Sequence, residues 1–405
     1  MIELLKQHPV PIVYGFWLRF FSAYGQTYFV ALFSLWVENQ FELNAFYFGG
    51  LYSLATLLSA FVLMGFGPFS DRISIHRLGW IGIVGISSSC LIMGLSPNWM
   101  VLGIGLLGLR FFSIGLLLHT SVLYLSSRFL RSRGKALALS GLGHTMGEAF
   151  FPWVIIILME RFSPETTWIT LAIIVLIVLG GTHWRLRPIQ LKSLLPDEDT
   201  FIESKSRLQK DWTREEVIKD INFWLLLPGT LAPALVLTGM FFHIKAFFLQ
   251  ADWALTELAW CMTLFAIARL FCSLIMGPLI DRFTALNLLP LYLSPLLFGF
   301  LSLILIPEIL GMQLFMFFCG ACVGFSTSMV PAFLAESYGL QHLGAIRSLS
   351  SAMAVIATSI TPVLMGWFIS KSYGLAFLSQ CCIVYTALAM LLNLRSYFGY
   401  KRRLL

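Results

Sequence analysis

Charge is scarce in this chain of 405 residues: 20 acidic and 27 basic side chains amount to 12% of it, where a soluble domain carries about a quarter. With 58% hydrophobic and 15% aromatic residues, that shortage excludes an ordinary water-soluble fold. Cysteine is sparse as well. The seven residues (Cys90, Cys261, Cys272, Cys319, Cys322, Cys381 and Cys382) lie mostly in apolar stretches. An odd number without metal-like spacing gives no disulfide framework, and buried apolar cysteine is the simpler reading. A nucleotide loop, a metal-ligand cluster and a soluble domain large enough for catalysis are all missing, so neither an enzyme nor a cofactor is expected. The glycines of "GLGHTMGE" (141–148) fall in an apolar helix and cannot cradle phosphate as a strand-turn-helix loop does.

What the chain does have is apolar runs long enough to cross roughly 30 Å of hydrocarbon as helices. Twelve spans are predicted, at 11–37, 45–67, 78–96, 99–125, 136–159, 166–184, 222–249, 257–279, 285–306, 311–335, 345–369 and 374–394. The sixth is expected to close early at Gly180 and Gly181. Lys6 precedes an apolar run of full spanning length, which predicts a first membrane helix rather than a cleavable signal. Placing both termini in the cytoplasm assigns 21 of the 27 lysines and arginines to cytoplasmic segments and leaves only Arg161 and Lys371 outside. This asymmetry is the positive-inside pattern of a multi-pass protein in the cytoplasmic (inner) membrane. The net charge of +7 therefore reflects topology, and no nucleic-acid partner is expected.

The chain also repeats itself. "GPFSDR" at 67–72 returns as "GPLIDR" at 277–282, and at the same offset of 210 Gly134 maps onto Gly344, Ser140 onto Ser350 and Pro152 onto Pro362. The fold class predicted is thus an all-α membrane protein with two pseudo-symmetric six-helix bundles, residues 1–184 and 222–405. A parallel repeat of this kind builds two halves around a central path in one group of secondary transporters. Residues 185–221 form the only long polar segment, read as a cytoplasmic linker. Within it Thr213 and Glu216 fit a capping box, which predicts a short amphipathic helix leading into the seventh span.

"GPFSDRISIHR" after the second span resembles the signature loop of the major facilitator superfamily, Gly-x-x-x-Asp-Arg with a basic residue a few positions on. "GPLIDR" after the eighth span is its shorter copy. The resemblance covers the whole chain and implies twelve transmembrane helices in the major facilitator fold. It further implies a cytoplasmic gate in which Asp71 with Arg72 engages the start of the eleventh span near Arg347, and Asp281 with Arg282 does the same near the fifth. Such an Asp gains from a neighbouring helix N-terminus, and the arginine from a carboxylate. Glu336 in "LAESYG" is the expected partner for a cytoplasmic arginine.

Ionisable groups inside spans cost several kilocalories per mole and normally face a cavity. Arg110, Glu148 and Arg269 sit about halfway along the fourth, fifth and eighth spans; Arg19 lies nearer the inner end of the first, and His243 and Lys245 nearer the outer end of the seventh. Glu148, with His144 one turn before it, is at a depth where a proton site would serve, and His119 follows Arg110 toward the cytoplasm. Two readings stand beside each other: an Arg110–Glu148 ion pair that fixes two helices, or proton coupling through Glu148 and His144. The surplus of cations favours an anionic substrate, and the planar arginine fork suits a carboxylate, so Arg110 and Arg269 are candidates for a clamp.

"RSRGKALALSGLGHTMGE" is similar to the monocarboxylate and oxalate-formate branch of the superfamily, in which an Arg-Gly-x-Ala run opens the fifth span and an arginine of the eighth binds the substrate carboxylate. Arg269 is the matching candidate, about one turn further from the loop motif than in that branch. Drug-proton antiporters of the superfamily carry Gly-x-x-x-Gly-Pro here; this chain keeps Gly143 and Gly147 but has Glu148 where the proline would stand. In the first two spans Ser22 and Gln26 share a face, Tyr24 and Tyr28 another, and Tyr52, Thr56 and Ser59 a third; Gln26, Tyr24 and Tyr52, with His243 and Lys245, are candidate substrate contacts. Gly25 and Gly49–Gly50 equally permit close helix packing. The expectation is a monomeric proton-coupled symporter for a small organic anion. The alternatives are an exporter of drugs, amphiphiles or lipids, and a membrane sensor that does not transport.

Overall fold

Among the described residues every regular element is helical, as a chain in hydrocarbon must be when no water can satisfy its backbone. The computed structural model describes residues 2–70, 73–129, 132–186, 211–339 and 341–404, without the side chains of 2, 3, 67–70, 133, 134 and 404. Ten helices there are long and apolar enough to cross a membrane. The first and ninth spans complete the set of twelve as interrupted rods. The first runs Pro9–Phe21, a 3-10 turn at Ser22–Gly25, Thr27–Ala31 and Ser34–Gln40. The ninth is a single turn, Ala285–Leu288, followed by Ser294–Leu305, with Pro290 and Pro295 near the break.

The sixth span, expected at 166–184, runs Pro164–Leu186; the chain does not close at Gly180 and Gly181 but continues through a π-helical stretch, Val175–Gly180, to Leu186. A glycine inside a helix costs only about 1 kcal/mol relative to alanine, and the His183 ring beyond it is anchored by a 2.8 Å hydrogen bond to the Tyr14 hydroxyl. Further along, Thr213 and Glu216 close the capping box at the start of Arg214–Lys219.

The described residues group into two compact units, one built on the first six spans together with residues 244–246, the other on the last six. In the first unit the fifth span (Arg133–Arg161) packs on the first, the sixth on the third (Ile75–Leu95), and the fourth (Trp99–Arg128) on the second (Ala45–Ser70) and third. In the second unit the eighth span (Leu255–Phe283) packs on the tenth (Ile309–Tyr338), the ninth on the tenth and on the twelfth (Leu375–Leu404), and the eleventh (Leu343–Ser370) reaches the seventh (Ile221–Gln250) through Thr361 and Leu235. The pairing of spans in one unit is echoed in the other. Each unit turns large apolar side chains outward, such as Ile177 and Leu391, as suits lipid rather than water.

Two close approaches position the site. The first and fifth spans cross so tightly that a Cβ on Gly143 would stand 2.2 Å from the Phe16 carbonyl oxygen, and one on Gly147 2.6 Å from that of Phe20. The glycines of this stretch thus have a packing role in this chain. Where the first span breaks, a Cβ on Gly25 would lie 2.8 Å from the Leu109 carbonyl oxygen, beside the start of the π-helical stretch Arg110–Leu117 in the fourth span.

Candidate functional site

A backbone that leaves helical geometry at membrane depth must find partners for its freed polar groups, or it costs several kilocalories per mole. Gln26 is extended (φ −73°, ψ 152°), so the first span is broken there, between the 3-10 turn Ser22–Gly25 and the helix from Thr27. Side chains from the fourth and fifth spans meet it there. Arg110 donates to the Gly25 carbonyl at 2.8 Å, and its guanidinium stands 5.4 Å from the centre of the Tyr52 ring. Tyr52, itself fully buried, donates to Thr27 Oγ1 at 2.9 Å.

On the other side of the break lies His144. Its Nδ1 is 2.9 Å from Ser22 Oγ, and its Nε2 is 2.6 Å from Gln26 Nε2. One turn on, Glu148 Oε1 is 3.7 Å from the same Nε2. Both side chains are buried, as a site for a proton or a polar ligand inside hydrocarbon requires. Arg19 completes the surroundings by donating to Ser121 Oγ and to the Leu137 carbonyl, each at 3.2 Å. The sequence pointed to Ser22 and Gln26 on one face and to His144 and Glu148 on one helix; the structure brings the two pairs together. That Gly25 would offer its carbonyl to Arg110 had no signal in the sequence, because a glycine in an apolar run reads as a packing residue.

Other candidates are placed elsewhere. Tyr24 sits in an aromatic core with Phe21, Phe29 and Phe151, its hydroxyl 3.5 Å from the Leu171 carbonyl. Tyr28 donates to the Gly147 carbonyl at 3.2 Å. Lys245 groups with the first unit and donates to the Leu32 carbonyl at 2.5 Å. In the second unit His243 Nε2 lies 3.0 Å from the Pro362 carbonyl, and Arg269 is half-buried on the eighth span. Glu336 accepts from the amides of Ala285 and Leu286 at 2.9 and 3.0 Å, so it caps the first turn of the ninth span. Asp281, Arg282 and Arg347 are exposed, and Asp71 and Arg72 lie outside the described residues.

The second unit holds a polar cluster that the sequence did not single out. Asp220, the N-cap of the seventh span, receives both terminal nitrogens of Arg403 (2.5 and 2.6 Å), the Tyr338 hydroxyl (2.9 Å) and the Asn222 amide (3.0 Å). Burial pushes the Asp220 carboxyl up, but those hydrogen bonds outweigh it and hold the group below its usual range. The first unit also has an apolar cavity of about 290 Å³, lined by Leu43, Phe46, Tyr47, Leu51, Leu54 and Trp99 with Gly50.

Comparison with known proteins gives a consistent picture. A family model described as Major Facilitator Superfamily matches residues 15–255 and 244–402. No curated protein sequence matches the chain. Among solved structures, it is similar to a bacterial homolog of the human lysosomal transporter Spinster in an inward-facing, unoccupied conformation, at 14% identity over 96% of each chain with a TM-score of 0.69. It is likewise similar to the nucleoside transporter NupG, at 12% identity over 96% of this chain and 98% of that one, with a TM-score of 0.70. At such identities the likeness is one of fold.

Proposed function

Because the chain belongs to the Major Facilitator Superfamily of transporters, we propose that it is a secondary active transporter of a small organic anion, of the monocarboxylate class, driven by protons in symport. It works in the cytoplasmic membrane as a monomer with both termini inside, which agrees with the distribution of its lysines and arginines.

The observation that carries this reading is the placement of Arg110. Its guanidinium is half-buried beside an unwound helix; the Gly25 carbonyl accounts for one of its five donors, and the Tyr52 ring stands against it. A fixed cation at membrane depth with donors still to satisfy is complementary to a carboxylate. Arg269, half-buried in the second unit, is the second cation proposed to meet the anion. The His144–Glu148 pair, buried and 3.7 Å apart, is the proposed proton site.

Proteoliposome uptake with a panel of small carboxylates, cationic dyes and lipids, with and without a pH gradient, tests the proposal. Accumulation of a carboxylate that follows the inward proton gradient is expected. Glu148→Gln is expected to abolish accumulation while leaving exchange of substrate across the membrane; a variant that still accumulates it removes Glu148 from coupling. A second reading, export of an amphiphile or lipid, is favoured by the apolar cavity lined by Leu43 to Trp99, and transport of dyes or lipids rather than carboxylates in the same panel would select it.

A further inference from the structure

With the Gln26 amide oriented as the structure has it, the hydrogen bonds around His144 assign its ring proton to one nitrogen. Ser22 Oγ donates its single hydrogen to the Arg19 carbonyl, 2.6 Å away. Toward His144 Nδ1, at 2.9 Å, the hydroxyl can then only accept, so Nδ1 bears hydrogen. In a neutral ring Nε2 is consequently an acceptor, and the Gln26 amide nitrogen at 2.6 Å fills that need as its donor. Three bonds in series, from Gln26 to His144 to Ser22 to Arg19, thus describe an uncharged imidazole.

That arrangement is incompatible with a second proton on the ring. Once Nε2 carries hydrogen it must donate, and an amide NH2 cannot accept. Gln26 has then to turn its oxygen inward or withdraw. If it withdraws, Glu148 Oε1, 3.7 Å away on the next turn, is the acceptor that gains, because a carboxylate facing an imidazolium makes a charge-assisted bond. The proton comes from water reaching the site, bonds to Nε2, and is given back to water when the Gln26 contact re-forms. Charged and titratable side chains on the elements packed against this helix include Arg19, Tyr14, Tyr24 and Tyr28 of the first span, Arg110, His119, Tyr124 and Arg128 of the fourth, and Glu165 and His183 of the sixth; Tyr28 donates to the Gly147 carbonyl of this helix at 3.2 Å. Arg19 is engaged by Ser121 and Leu137, Arg110 by Gly25, and Glu165 by Trp36 at 2.7 Å.

We infer that Gln26 is the positioning residue of the proton step: it holds His144 neutral, and protonation exchanges the Gln26 contact for one to Glu148. This rests on the proton-coupled reading above and makes His144 the group that takes up the proton. It also ties protonation to the fold, because Gln26 is the extended residue at which the first span is broken. Where Gln26 withdraws, loading the proton releases a tether next to the Gly25 carbonyl that holds Arg110.

Two measurements test it. The ring nitrogens of His144 in the full-length protein, labelled with nitrogen-15 and read by solid-state NMR in lipid, should show hydrogen on Nδ1 alone at alkaline pH and on both at acid pH. Hydrogen on Nε2 alone in the neutral state overturns the inference without any use of a variant. In uptake assays, Gln26→Leu removes the donor that favours the neutral ring, so the pH of half-maximal uptake should move upward by about one unit, the worth of one hydrogen bond. Gln26→Glu, whose carboxylate can only accept, should move it further in the same direction. If both variants keep the unaltered profile while Glu148→Gln still abolishes accumulation, proton coupling stands and the role of Gln26 falls. If Glu148→Gln accumulates substrate normally, the coupled reading falls and takes this inference with it.

Discussion

Arg110 shows how much of the proposed site depends on the shape of one side chain. Its planar fork spends one donor on the Gly25 carbonyl, and the ring of Tyr52 keeps the guanidinium from swinging away. A lysine would retain the charge but could not hold the carbonyl and grip both oxygens of a carboxylate at once. Arg110→Lys should therefore weaken binding of the proposed organic anion, and Arg110→Ala should weaken it by roughly 30- to 150-fold, the worth of 2–3 kcal/mol for a charge-assisted pair. Equilibrium binding of radiolabelled substrate to purified protein checks this, and unchanged affinity in the alanine variant would take Arg110 out of the site. At this scale the sequence was informative in a particular way. An arginine, an acid and a histidine inside apolar spans stand out against so few charges, so Arg110, Glu148 and His144 were legible. Their partners were not, because a carbonyl oxygen such as that of Gly25 is invisible in a string of side chains.

The helices explain why those groups meet. Spacing predicted a continuous first span at 11–37, yet the helix breaks at Ser22–Gln26; Ser22 and Gln26 still reach one histidine across the break. A glycine that ends a helix and one that lets two helices touch look alike in sequence, and only packing separates Gly25 from Gly143. A side chain at Gly143 would drive the fifth span into the Phe16 carbonyl. Gly143→Val should consequently destabilise the protein by about 1–3 kcal/mol, seen as a lower melting temperature in detergent. The clasp on Asp220 is a second prediction for an element. Because its hydrogen bonds hold the carboxyl below its usual range in the folded state, its contribution is present above the ordinary carboxylate range and lost as pH falls through the lowered value. The melting temperature should fall on acidification, and Asp220→Asn should flatten that acid limb while lowering stability at neutral pH. A variant that melts with the same pH dependence as the parent would show that the clasp does not contribute.

For the whole molecule, the repeat and the distribution of charge make separate statements that have to agree. An offset of 210 carries the loop motif, Gly134, Ser140 and Pro152 onto their counterparts without a gap, and the structure answers with two units of six spans, each with the same internal pattern of span pairing. An even number of crossings puts both termini on one side. Basic residues then decide which side, since each lysine or arginine next to a span resists translocation. Lys371 in the turn after the eleventh span and Arg402 near the end of the twelfth are both exposed and should lie on opposite faces of the membrane. Replacing each by cysteine, in a background whose seven native cysteines are changed to serine or alanine, gives a direct test in intact cells. A membrane-impermeant maleimide should label Lys371→Cys from outside and reach Arg402→Cys only after the cells are opened. Labelling of both from the same side would mean that the last helix does not cross, whereas the swapped pattern, Arg402→Cys labelled from outside and Lys371→Cys only after opening, would reverse the cytoplasmic placement proposed for the linker, Arg77 and the Asp220 clasp.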